Sequence, residues 1–361
     1  MSIYNFAAGP AMLPIPVMKQ IQDEWINWNG MGVSVIEISH RSKEFEALLA
    51  ENDELIREVA DLPDDFEILY THGGAQMQFS MVPMNLLGLK PGNIAQYIET
   101  GNFASIARKE AEKFGHIEII ATGEADNFSK LPDLDQVNWD QNASYVHITS
   151  NNTLFGTQWK AYPDLGETPL VIDATSDIFS KPIDWSRVGL MYGGAQKNLG
   201  PSGLALALVR KDLLGKATQP CPKLMDYSVY AGNHSMANTP NTFALYALNL
   251  IMKWIKAEGG LSVMEERNQT KAKTIYEVID GSDFYQGTAQ EADRSIMNVT
   301  FTLPSDEMLQ EFLKESQAAG LYALKGHRVV GGARASIYNP MPQEGVDALA
   351  SFMKFFAQKR G

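Results

Sequence analysis

Apolar residues recur along this chain with two different periods. Val17, Ile21 and Trp25 fall at helical spacing and predict a helix over residues 16–28. Ser42 is placed to cap a second helix, whose buried face would be Phe45, Leu48, Leu49, Leu55, Ile56 and Val59. Short continuous apolar runs then replace the stripes. They predict strands over 66–71, 93–99, 117–121, 145–149, 170–173, 189–192 and 204–209, with a further strand-like run at 33–38. Helical patterns lie between several of these, at 77–87 and 103–114.

Strands that are apolar throughout, alternating with helices, imply an α/β domain whose mostly parallel, seven-stranded sheet is covered on both faces. Helices over 242–256 and 261–279 close that unit. After Gly281 the order becomes strand (295–301), helix (306–319), strand (332–338) and helix (346–358), a smaller α+β domain. The expected division is a large domain over 16–260 and a small one made of 1–15 and 261–361.

Charge and composition narrow the function. A net charge of -13 opposes nucleic acid and anionic membrane as partners. An anionic substrate would therefore need basic residues gathered locally. The single cysteine, Cys221, excludes an intramolecular disulfide and fits a reducing compartment. It sits between two prolines with no second thiol near it, so no metal site is expected there. The start of the chain shows no secretory signal, and no apolar run approaches the roughly 20 residues that span a bilayer. A cytoplasmic protein is the expectation.

The strongest chemical signal is Tyr192-Gly193-Gly194-Ala195-Gln196-Lys197-Asn198-Leu199-Gly200. Small residues let backbone crowd a ligand, and a lysine among them would lie against it. Burial lowers a lysine pKa and frees the neutral amine for Schiff-base chemistry. The competing reading is a surface lysine in a Gly-rich turn. Asp173 weighs against that reading, because it ends the apolar run Leu170-Val171-Ile172, where open α/β sheets bind ligands. Pyridoxal phosphate needs such an acid on its ring nitrogen; an ordinary turn cap is the alternative for Asp173 alone. Thr71-His72-Gly73-Gly74-Ala75-Gln76 ends a strand and opens a helix, the form of a phosphate cup. Walker, GxGxxG, HExxH and GxSxG strings are absent. Basic residues collect in short loops at His40-Arg41, His327-Arg328 and Arg334, as anion clamps or as surface ion pairs.

Seven motifs in order carry a resemblance that runs nearly end to end: AAGPAMLP, SHRSKEF, HGGAQ, IDATSD, GAQKNLGPSGL, NHSMANTPNTF and GHRVVGGARASIYNP. The chain resembles the phosphoserine aminotransferases, class V aminotransferases of the pyridoxal-phosphate fold type I group. The resemblance implies that Lys197 holds the cofactor as a Schiff base and carries the proton, while Asp173 pairs with the ring nitrogen. It places Phe103 on the ring face, Thr153 at the phenolic oxygen, and Ala75, Gln76 and Gln196 on the cofactor phosphate. Asn238 and Thr239 would reach that phosphate from the neighbouring subunit of a homodimer with shared active sites.

Arg334 would clamp the substrate α-carboxylate. His40, Arg41, His327 and Arg328 would surround the distal phosphate or the glutamate side-chain carboxylate. The implied reaction passes the amino group of glutamate to 3-phosphohydroxypyruvate, giving 3-phosphoserine and 2-oxoglutarate, in serine biosynthesis and in bacterial members also in pyridoxine biosynthesis. The alternative is another class V activity such as alanine–glyoxylate transamination, which has no use for so many cations. Two positions depart from the family. Phe103 stands where tryptophan is common, with less ring area and no indole N–H, and Gln76 where some members carry arginine.

Overall fold

The computed structural model describes residues 3–217 and 220–360. Met1, Ser2 and Gly361, assigned above to the small domain, lie outside them. Helix α1 (Ile15–Glu24) buries Val17 and Ile21 but stops short of Trp25, which is 44% exposed with its ring edge against Phe243. The run at 33–38 is not a strand. Gly30 and Gly32 take positive φ, the Ser34 N–H donates to the Glu37 carboxylate and the Glu37 N–H to the Ser34 carbonyl, which folds the segment into turns instead of a ladder. In α2 (Lys43–Ala60), the Ser42 hydroxyl accepts from the Phe45 N–H, and all six residues of the expected apolar face are buried.

The large sheet has seven strands: β1 (Phe66–His72), β2 (Ile94–Glu99), β3 (His116–Thr122), β4 (Val146–Thr149), β5 (Leu170–Asp173), β6 (Leu190–Gly194) and β7 (Leu204–Arg210). Their order across the sheet is β1-β7-β6-β5-β4-β2-β3. The pairs from β6 to β3 are parallel, and β7 runs antiparallel to both its neighbours. Since β7 is the one inverted strand, β1 and β6 point the same way. Thr71 and Gly194 flank Ala205 in a single cross-strand row.

Successive residues of one strand enter different cores, as a doubly covered sheet requires. Leu170 and Ile172 pack with Phe45, Leu48 and Ile56 of α2, together with Leu245 and Leu248 of α5 (Thr242–Ala257). Val171 packs on the other side with Phe79 and Val82 of α3 (Gln76–Leu86) and Ala107 of α4 (Asn102–Ala111). The edge strand β3 alone has no buried residue.

A third core belongs to the smaller unit. There β8 (Asn298–Thr302) and β9 (Ala333–Ser336) pair antiparallel under α6 (Gly260–Asp280), α7 (Asp306–Ala318) and α8 (Gln343–Arg360). Its centre is aromatic, with Phe301, Phe312 and Phe356 fully buried and meeting edge to face. The N-terminal arm joins it: Tyr4–Asn5 pairs with Leu321–Tyr322, and Phe6 is buried in this core. Among the described residues no helix is long and apolar enough to cross a membrane. The cap geometry yields a stability prediction. Ser42→Ala should lower stability by about 1 kcal/mol, read as a lower urea midpoint, while Ser42→Thr stays near the parent.

Candidate active site

Strands β1, β4, β5 and β6 all end on one edge of the sheet, and their last residues give way to loops there. The loop after β5 begins at Asp173, and the loop after β6 carries Lys197. The helix α3 that follows β1 starts at Gln76. Between these ends lies a cavity of about 350 Å³. Ala75, Gln76, Phe103, Thr153, Asp173, Gln196 and Lys197, all expected site residues, line it together.

Lys197 is only 7% exposed, and its Nζ donates to Thr153 Oγ1 at 2.7 Å. The amine stands 5.7 Å from the Phe103 ring centroid. Burial pushes Lys197 down to about 8; the carboxylates of Asp173 and Asp177 oppose this, and the Arg334 charge adds to it. The N-terminal arm walls this lysine in. Gly9, at φ +138°, lies so close that a Cβ would come 3.4 Å from Lys197 Cγ.

Asp173 is buried, which raises its pKa. The hydroxyl and N–H of Thr175 and the charge of Lys197 pull it back. Thr175 donates twice to Asp173 Oδ1, at 2.5 Å from Oγ1 and 3.0 Å from N. Those bonds fix the orientation of the carboxylate and favour its charged form.

The start of α3 supplies N–H groups that no helical carbonyl can satisfy. Gly194 keeps the approach to them open. A Cβ there would sit 3.2 Å from Ala75 N and 2.5 Å from Gln196 Oε1. Gln196 Oε1 and Thr149 Oγ1 are buried without a hydrogen-bond partner, so the wall keeps polar capacity for a ligand. An amine, an acid, an aromatic face and a helix start around one such volume fit pyridoxal phosphate, which presents an aldehyde, a ring nitrogen, a flat ring and a phosphate.

Arg334, in β9, reaches this region electrostatically but does not line the cavity. Burial lowers its pKa, and its Nε has no partner. Six of the ten arginines form carboxylate ion pairs (108, 187, 210, 267, 294 and 360), and Arg57 is committed to the carbonyls of Pro63 and Phe66. The three that bond neither a carboxylate nor a backbone carbonyl among the described residues are Arg41, Arg328 and Arg334.

The remaining expected residues do not line this cavity within one chain. Arg41 is exposed and donates to His40 at 3.4 Å. His327 and Arg328 lie in a loop where His327 Nδ1 accepts from the Val329 N–H. Asn238 bonds His72 at 3.0 Å, and Thr239 is exposed.

Thr149, Asn151, Thr175 and Ser176 also line the cavity and were not singled out from the sequence. Thr175 and Ser176 lie inside the IDATSD string. Their signal was a pair of hydroxyl residues one alanine beyond a strand-end acid.

The class V aminotransferase family model matches residues 3–349. A phosphoserine aminotransferase of Geobacillus kaustophilus is 49% identical over 359 residues, covering 99% of this chain and 98% of that protein. The solved phosphoserine aminotransferase of Bacillus circulans subsp. alkalophilus is 44% identical, with a TM-score of 0.97 over 99% of both chains. The pyridoxal-phosphate-bound phosphoserine aminotransferase of Trichomonas vaginalis is 36% identical, with a TM-score of 0.93 over 98% of this chain and 99% of that one.

The electrostatics of the lysine are testable on cofactor-free protein. Acetylation of Lys197, followed by mass spectrometry across pH, should titrate near 8. Removing a nearby cation relieves the ammonium form, so Arg334→Ala should raise that midpoint. Asp173→Asn removes an anion and should lower it. Shifts of the opposite sign would contradict the charge arrangement.

Proposed function

The chain belongs to the phosphoserine aminotransferases of the class V aminotransferase family, and from that membership we propose how its own residues divide the work. It is a pyridoxal-phosphate-dependent enzyme of serine biosynthesis. The substrates that fit are glutamate and 3-phosphohydroxypyruvate, interconverted with 2-oxoglutarate and 3-phosphoserine. The observation that carries the substrate class is the set of three arginines that, among the described residues, bond neither a carboxylate nor a backbone carbonyl, in a chain of charge -13. Each substrate carries at least two anionic groups, and a guanidinium binds carboxylate or phosphate bidentately.

Bound cofactor supplies a reactive aldehyde and an electron-withdrawing ring. Lys197 is the amine that holds it. Asp173, oriented by Thr175, would hold the ring nitrogen, and Phe103 would pack on the ring. Ala75, Gln76 and Gln196 would hold the phosphate, and Thr153 the phenolic oxygen. With the cofactor in place, Lys197 Nζ would be the group that takes a proton from the substrate Cα and returns it. A lysine with a pKa near 8 does this well, because its neutral form is accessible close to neutral pH.

Arg334 receives the α-carboxylate common to both substrates. His40, Arg41, His327 and Arg328 form the distal anion pocket, which must hold a phosphate in one half-reaction and a carboxylate in the other. We assign that pocket, with Asn238 and Thr239 at the cofactor phosphate, to a homodimer. Supporting this, the segment leading to His40 exposes Ile15, Met18, Trp25, Ile26, Met31, Val33 and Ile36, an apolar series suited to burial against a second copy. A lone cysteine suits a cytoplasmic setting.

A coupled assay tests the assignment. The purified enzyme should transaminate 3-phosphohydroxypyruvate with glutamate, and Lys197→Ala should abolish turnover. Arg41→Ala and Arg328→Ala should each raise KM for the phosphorylated keto acid by roughly tenfold or more, the loss of one charge-assisted contact. Preference for glyoxylate over the phosphorylated substrate would overturn the reading.

A further inference from the structure

A polar clasp joins the two units, and none of the roles above uses it. Asn298 opens β8 of the small sheet and is fully buried. Its Oδ1 accepts from Asn151 Nδ2 at 2.7 Å. Its Nδ2 donates to Ser336 Oγ at 2.9 Å and to the Tyr338 hydroxyl at 3.2 Å. Every polar position of this amide side chain is therefore occupied.

The two ends of the clasp reach different parts of the site. Asn151 lines the cofactor cavity, two residues before Thr153, whose hydroxyl receives the Lys197 amine. It is also pinned from its own side, donating to Ser176 Oγ at 2.8 Å. Ser336 shares β9 with Arg334. The register places Asn298 opposite Ser336 and Thr300 opposite Arg334, so Ser336 and Arg334 project from the same face of that strand. One amide thus spans from the loop supporting the lysine to the strand carrying Arg334.

An apolar pair at this junction could slide and still exclude water. A buried amide cannot, because any displacement leaves a donor or acceptor unsatisfied in a low-dielectric setting. The clasp therefore admits one relative placement of the two units at this point.

We propose that Asn298 is a positioning residue: through Asn151 on one side and Ser336 on the other, it fixes the distance between Arg334 and the Lys197 amine, and with it the fit of the substrate α-carboxylate. This rests on the role given to Arg334 above. Asn298 touches neither substrate nor cofactor.

The test is steady-state kinetics on holoenzyme carrying Asn298→Ala, Ser336→Ala, Arg334→Ala and the Asn298→Ala/Arg334→Ala double change. Asn298→Ala should raise KM for glutamate and for the keto acid alike by about tenfold, with kcat changed less than about threefold, the signature of lost uniform binding. Ser336→Ala should shift KM the same way by about threefold, and it carries the test if Asn298→Ala does not accumulate as folded protein. The cofactor absorbance band should stay at its parental position in both.

In the Arg334→Ala background, Asn298→Ala should add less than about a twofold change, because its effect passes through that arginine. A parental KM in Asn298→Ala, or a fully multiplicative effect in the double variant, overturns the inference. An unchanged KM in Arg334→Ala alone would instead overturn the role of the arginine, which keeps the two failures apart.

Discussion

The molecule is organised around the burial of one amine. A lysine ammonium resists transfer out of water, and burial resolves that conflict by favouring its neutral form. Lys197 is held in this condition by a single hydroxyl acceptor on Thr153, with the Asp173 carboxylate near enough to temper the shift. Everything that positions these groups follows from the large sheet. Its strands β4, β5 and β6 deliver the loops of Thr153, Asp173 and Lys197 to one edge, and α3 begins at the same edge after β1.

Charge is organised with similar economy. The surface is predominantly acidic, and most arginines are tied to carboxylates on it. Three are withheld. One is half-buried near the site and two lie on exposed loops. The acidic remainder limits binding of polyanions elsewhere.

Much of this was legible in the chain itself. The strand 170–173 was found to the residue, since a four-residue apolar run ending in an acid leaves little room for another reading. The capped helix after Ser42 was equally clear, because the cap and the apolar stripe agree. The run at 33–38 misled, for its apolar composition resembles a strand while two flanking glycines and the Ser34–Glu37 bonds turn it back on itself. Trp25 continues the period of α1 but falls past its end. Of the residues that line the cavity, Ala75, Gln76, Asp173, Gln196 and Lys197 stood in sharp motifs and were named from them, whereas Thr175 and Ser176 were passed over inside one and Thr149 and Asn151 stood in none. Their importance comes from facing the cavity across a sheet edge, and no local spacing encodes that. The Asn298–Asn151 bond links positions 147 apart in sequence and has no signature in either neighbourhood.

The inverted strand β7 has a further consequence. Ala205 is bracketed by Thr71 on one side and Gly194 on the other, and the Thr71 hydroxyl also donates to the Ala205 carbonyl at 3.1 Å. The Lys197 loop and the turn that opens α3 are thereby tied to one residue of β7. A slip of one residue in the pairing of β7 would part them and turn its side chains to the wrong cores.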